Sequence, residues 1–178
     1  MTFQGSFSEK VPNQGVRLIN TKTLELKDFV DHTRVPPYAI LSHTWGDEEI
    51  TLQEWHDQEV RTRKNESLFK IRRYKTNTAK RGSTPTASTK PVPPTFPSPS
   101  TPNWYRGAAV CYVYMVDVPS HAIQEDNCDP DSHFRKSRWF TCGWTLQELI
   151  ASTRVNFYAA NWSMLGAKRD LVDALQRS

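Results

Sequence analysis

Glu148 is the residue of this sequence with the clearest capacity for chemistry. It sits in Gly143-Trp144-Thr145-Leu146-Gln147-Glu148-Leu149-Ile150, a glycine-led helix start with tryptophans at 139 and 144. As a reagent, its chemistry would be that of a glycosidase carboxylate: an anion beside a carbon where positive charge develops. Trp139 or Trp144 would then stack on a flat ring. As a structural group it would be a cap. Thr145 and Glu148 have the S/T-x-x-E spacing of a capping box, and a negative charge in the first helical turn complements the dipole. By local pattern alone the cap is the commoner use.

Other reactive residue types are weaker candidates. Ser42-His43 suggests a nucleophile and a base, but neighbours in an extended segment point to opposite faces and cannot pair directly. His121, Cys128, His133 and Cys142 are zinc-ligand types whose spacings match no standard site, so no metal ligands are assigned. Asp47-Glu48-Glu49 precedes a helix and reads as a dipole complement before a cation site. The basic residues of 61–81 read as a solvated face before a phosphate site.

The elements that must position these residues follow from periodicity. Val16–Asn20 predicts a short strand, and Thr23–Phe29 a second strand or a helical turn. After the break at Pro36-Pro37, Tyr38–Ser42 predicts a buried strand ending in the loop His43–Glu49. Thr51-Leu52-Gln53-Glu54 opens a helix to about Val60, and 67–74 a further helical piece. Trp104–Ala109 ends another helix. Val110–Val118 is a continuous apolar run typical of a central parallel strand. Pro119–Lys136 reads as a polar loop. The helix at 145 and the strand Val155–Tyr158 come next, then a last helix over Lys168–Arg177 with Leu171, Val172, Ala174 and Leu175 on one face. Alternating strands and helices predict a three-layer α/β domain with a mainly parallel sheet. Ligands of such sheets bind outside the carboxyl ends of the strands, which places Ser42–Gly46 and the start of the 145 helix on one crevice.

Composition narrows the class. The chain has 178 residues, enough for one core, and a net charge of +4 without a basic stripe or nucleic-acid motif. Nucleic acid is therefore not an expected partner. The longest apolar run is too short to span a bilayer, and the first ten residues lack a signal-peptide core. Three cysteines without CxxC spacing read as free thiols of a cytoplasmic protein. Residues 1–15 read as a flexible tail. Residues 75–103 hold seven of the twelve prolines and many Ser and Thr. Such a stretch is expected to be a disordered insert within a domain over 16–178.

Three blocks resemble the fungal heterokaryon incompatibility (HET) domain. They are Tyr38-Ala39-Ile40-Leu41-Ser42-His43-Thr44-Trp45-Gly46, then Trp104–Tyr114 with Asp117-Val118, then Ser137-Arg138-Trp139-Phe140-Thr141-Cys142-Gly143-Trp144-Thr145-Leu146-Gln147-Glu148-Leu149-Ile150-Ala151. The resemblance implies a signalling or interaction module of non-self recognition and programmed cell death. It also implies protein partners, self-association among them. HET domains are in turn distantly similar to Toll/interleukin-receptor (TIR) domains, which have a flavodoxin-like sheet and in some cases cleave NAD with a glutamate at a helix start. That likeness implies Glu148 as the catalytic carboxylate, with Ser42, Trp45, Gly46 and Trp144 as ligand contacts and NAD as a substrate. No cofactor is required.

Two departures from the HET pattern bear on this reading. A strand block of the type Trp-Ile-Asp-x-Cys-Cys-Ile-Asp is absent before Trp104, where the proline-rich stretch stands instead. Cys142 occupies a position where the resemblance implies arginine, removing a cation. A partly incomplete sheet is therefore expected, with the strand at 38–42 left as an apolar edge. A degenerate, non-functional copy is a further alternative.

Overall fold

The computed structural model describes residues 16–20, 23–44, 54–63, 86–88, 101–142, 145–172 and 175. Seven strands form one sheet: β1 (Val16–Asn20), β2 (Leu26–Phe29), β3 (Ala39–His43), β4 (Thr86–Ser88), β5 (Val110–Tyr114), β6 (Val155–Tyr158) and β7 (Met164–Ala167). Among the described residues the helices are α1 (Gln58–Arg63), α2 (Thr101–Gly107) and α3 (Thr145–Ala151). Short 3₁₀ turns occupy His32–Arg34, Glu54–His56, Ser120–Gln124 and Lys168–Asp170.

The spatial order is β2-β1-β4-β3-β5-β6-β7. Its centre is parallel: β3 pairs with β4 and β5, and β5 with β6. Both flanks are antiparallel, through β1 with β2 and β4, and β6 with β7. The sheet is thus mixed, which corrects the expectation of a mainly parallel one. For β1–β2 and β6–β7 the reason lies in the connections. Residues 21–25 and 159–163 are too few for the crossover that parallel neighbours need. Within the parallel centre the strands, counted along the chain, stand second-first-third-fourth. Order therefore reverses between β3 and β5, which marks a switch point of the doubly wound kind.

β3, β5 and β6 are each buried on both faces, as their apolar runs require. Ile40, Cys111, Val113, Val155 and Phe157 pack on one side with Tyr105 of α2 and Leu149 of α3. Ala39, Leu41, Val110, Tyr112, Tyr114 and Tyr158 face the other side with Trp162. Trp162 stacks on Tyr114 at a centroid distance of 4.8 Å and sits at φ 66. That backbone conformation is strained for a bulky residue, and the aromatic packing holds it there. Trp55, on the turn before α1, packs against Ile19 of β1.

Several expectations change. Thr86–Ser88 lies inside the proline-rich stretch 75–103, expected to have no strand character, yet it forms β4 between β1 and β3. Thr86 is β-branched, which suits an extended strand, and Ala87 and Ser88 are small. The place expected to lack a strand is therefore filled, and β3 is not a bare edge along Ala39 and Ile40. α2 also begins within this stretch, at Thr101. The 119–136 segment is more than a polar loop, since it carries a 3₁₀ turn and inserts Ala122 and Phe134 fully into the core. β7 stands where no strand was expected. The 168 segment begins as a 3₁₀ turn rather than an α-helix, and Val172 is exposed instead of sharing the inner face of buried Leu171. The helical piece expected at 67–74 lies outside the described residues.

Candidate functional site

β3 delivers Ser42 to the α2/α3 side of the sheet, because alternate residues of a strand share a face. Ile40 and Ser42 point there, whereas Ala39 and Leu41 face the opposite side. The same alternation turns His43 away from Ser42, so no serine–histidine pair forms across this strand. Ser42 is completely buried. Its hydroxyl donates to Glu148 Oε2, and it accepts a hydrogen bond of 3.0 Å from Trp139 Nε1. Glu148 is 4% exposed and Trp139 1%. A carboxylate, a hydroxyl and an indole N–H from three separate elements thus form one buried chain. In a low-dielectric interior such a network is strong when its members are satisfied.

The capping reading of Glu148 is not what the geometry shows. In a capping box the Thr145 hydroxyl would accept from the Glu148 amide, and the Glu148 carboxylate would accept from the Thr145 amide. Here the Thr145 amide donates to the Cys142 carbonyl at 3.0 Å. The Thr145 hydroxyl is shared between the carbonyls of Trp139 and Cys142, each at 2.6 Å. Thr145 is thus a knot in the turn that feeds α3, and Glu148 reaches across to β3.

Tyr105 of α2 closes the site from a third side. Its phenol is buried without a hydrogen bond of ordinary geometry. Burial, first, and then the nearby Glu148 carboxylate push it well above the ordinary tyrosine range. Tyr38, whose hydroxyl donates to the Trp104 carbonyl at 2.6 Å, is pushed up to about 12 by burial. Both phenols therefore stay neutral in the folded chain at pH values where an unfolded chain ionises them. Stability is expected to be independent of these groups below about pH 10 and to fall as pH rises towards 12. Urea midpoints measured from pH 8 to 12 check this, and Tyr38→Phe is expected to flatten the decline.

Asp117 positions Trp139. One carboxylate oxygen accepts from the Ser137 hydroxyl and the other from the Arg138 amide, both at 2.7 Å. The Ser137 hydroxyl in turn accepts from the Trp139 amide at 3.2 Å. Nothing in local spacing marks Asp117 for this role, because its partners lie about twenty positions on.

Lys168 fixes the far end of α3. Its ammonium donates to the Leu149 carbonyl at 2.8 Å and to the Ser152 carbonyl at 3.3 Å. A cation there satisfies carbonyls at the helix end and meets the negative end of the dipole. Lys168→Met is expected to lose about 1–2 kcal/mol, read as a lower urea midpoint with an unchanged m-value.

Of the residues read as ligand contacts, Ser42 stands against Glu148. Trp45, Gly46 and Trp144 lie outside the described residues. A cavity of about 500 Å³ lies elsewhere, along Asn20, Leu24–Lys27, Trp55 and His56, and shares no residue with the Glu148 site. The three cysteines are free thiols. His121 and His133 do come together, with ring centroids 5.3 Å apart, but their third neighbour is Glu125 and not a cysteine. The His133 amide, foremost, and its ring hold the Glu125 carboxyl below its usual range. The signal missed in the sequence was Glu125, four residues after His121 and eight before His133.

No helix among the described residues is long and apolar enough to cross a membrane. No family model matches the chain, and no solved structure matches it. A curated protein does. The chain is 35% identical over 155 residues to vegetative incompatibility protein HET-E-1 of Podospora anserina. The match covers 78% of this chain and 11% of that protein, so the chain spans about a tenth of the length of this relative. Over most of its length the chain is therefore related to one part of a fungal vegetative incompatibility protein.

Proposed function

We propose that the chain is a heterokaryon incompatibility module, a cytoplasmic signalling and interaction unit of fungal non-self recognition that triggers cell death through protein partners. The observation that carries this reading is the meeting of distant sequence blocks. Ser42 comes from the block at 38–46 and Trp139 and Glu148 from the block at 137–151, and they join in one buried chain. The segments that resemble the HET domain thus build a common core, and the relationship to HET-E-1 runs through most of the chain. Inducible expression in a filamentous fungus tests it. Wild type is expected to cause growth arrest and hyphal death, and Ser42→Ala and Glu148→Ala to abolish them. Healthy growth at full wild-type protein levels would overturn the reading. A non-cooperative thermal transition of the purified chain would instead favour a degenerate copy.

One observation favours cleavage of NAD as a second reading. Glu148 stands beside the carboxyl end of β3, at the point where strand order reverses. There a carboxylate can stabilise positive charge on the ribosyl carbon as its bond to nicotinamide breaks, with water supplying the hydroxyl of the ADP-ribose product. The burial of Glu148 under Ser42 and Trp139 weighs against it, since substrate would have to displace one of them. Nicotinamide release by wild type and not by Glu148→Gln would establish this reading; no release by either would remove it.

A further inference from the structure

We propose that His121, Glu125 and His133 form a binding site for one divalent transition-metal ion of the zinc class, in the segment between β5 and α3. Two imidazoles and one carboxylate are a donor set suited to such ions, with water in the fourth position. One donor atom from each residue lies within 4.8 Å of the others. Ligands bound tetrahedrally at 2.0–2.1 Å stand roughly 3.3 Å apart, so binding asks for changes of at most about 1.5 Å in the donor separations.

The arrangement is pre-organised in two ways. The Glu125 carboxylate is already oriented: Oε2 accepts the His133 amide at 2.9 Å, leaving Oε1 against His133 Nδ1 at 2.6 Å. The second contact is one in which a metal ion takes the place of the proton between nitrogen and oxygen. The first is the kind of outer hydrogen bond that fixes a ligating carboxylate. In addition, each histidine is anchored by its neighbour. Ala122 follows His121 and Phe134 follows His133, and both neighbours are completely buried. Between them, Asp126 and Asp129 hold two tight turns through 2.9 and 2.8 Å bonds to the amides of Cys128 and Asp131. The two imidazoles are exposed, so an ion reaches them from solvent. A bound ion would tie the Ser120–Gln124 turn to the turn that leads towards Trp139.

Titration of the purified, reduced chain with zinc chloride against a chromogenic chelator tests the proposal. One equivalent is expected to bind, with an affinity lowered about tenfold or more in His133→Ala and in Glu125→Gln. Zinc is expected to raise the melting temperature of wild type and not of the two variants. Circular dichroism checks that the variants keep the fold, as their surface positions predict. Substitution with cobalt is expected to give a visible spectrum without a thiolate charge-transfer band. Absence of stoichiometric binding would overturn the proposal. So would equal affinity in wild type and both variants, or a thiolate band that disappears in Cys128→Ser or Cys142→Ser.

Discussion

Trp139→Ala is expected to destabilise the chain by about 3–5 kcal/mol, the range for removing a fully buried large aromatic side chain. Trp139 is 1% exposed and packs edge-to-face on Phe140 and Phe157, at centroid distances of 5.1 and 5.8 Å. Each such contact adds to the area term. The substitution also takes the N–H donor from Ser42, deep in the core. Domains of this size are stable by only about 5–15 kcal/mol, so the loss is roughly a fifth of the total or more. The expected readout is a drop in melting temperature of about 6–20 °C, or insoluble expression at 37 °C. Trp139→Phe separates the two contributions. It keeps most of the packing and deletes the donor, and its expected cost is about 1–3 kcal/mol. A melting temperature within a degree or two of wild type for Trp139→Ala would show that this residue is not the centre of the core.

The second large effect is coupling between Ser42 and Glu148. Ser42→Ala leaves a buried carboxylate without its hydroxyl donor, and Glu148→Ala leaves the serine without its acceptor while opening a cavity. Each single change is expected to cost about 1.5–3 kcal/mol, as for hydrogen bonds to charged groups. The double variant is expected to cost less than the sum, because the second change removes a group that has already lost this hydrogen bond. A coupling energy of about 1–2 kcal/mol in a urea-unfolding cycle would fit a contacting pair. Additivity within a few tenths would mean the two groups do not depend on one another. Glu148→Ala is also expected to lower the Tyr105 pKa, since the carboxylate is one cause of its elevation. Spectrophotometric titration of the phenols reads that change.

Much of the parallel centre was legible, because β3, β5 and β6 are apolar runs that can only be satisfied by burial on both faces. The approach of Ser42 to Glu148 followed from connectivity: both lie where strand order reverses. The fate of the Glu148 carboxylate was not legible. A capping box is a pattern of four neighbouring residues, whereas the partner that prevails here, Ser42, is more than a hundred positions away and enters from the next layer. β4 was missed for a related reason. Thr86–Ser88 contains no run of large apolar residues that a periodicity could reveal, and its pairing rests on backbone groups that every sequence possesses. β7 and Asp117 likewise depend on tertiary partners. The antiparallel flanks were within reach, since short connections exclude a crossover. The trio at 121, 125 and 133 was obscured by attention to cysteines, which the fold keeps out of the cluster.

The three residues of β4 also set how the chain comes together and comes apart. They join the β1–β2 hairpin to the parallel centre, pairing with β1 on one side and β3 on the other. Both partners are remote in sequence, so this seam closes only after long loops have been ordered, which places it late in assembly. A seam of this length also opens more readily than the five-residue pairing of β3 with β5. The β1–β2 hairpin, held otherwise by the packing of Leu18 and Phe29 on the main core, is therefore expected to open before the parallel centre does. In native-state hydrogen exchange the amides of β1 and β2 are expected to report a sub-global opening, and those of β3 and β5 the unfolding of the whole.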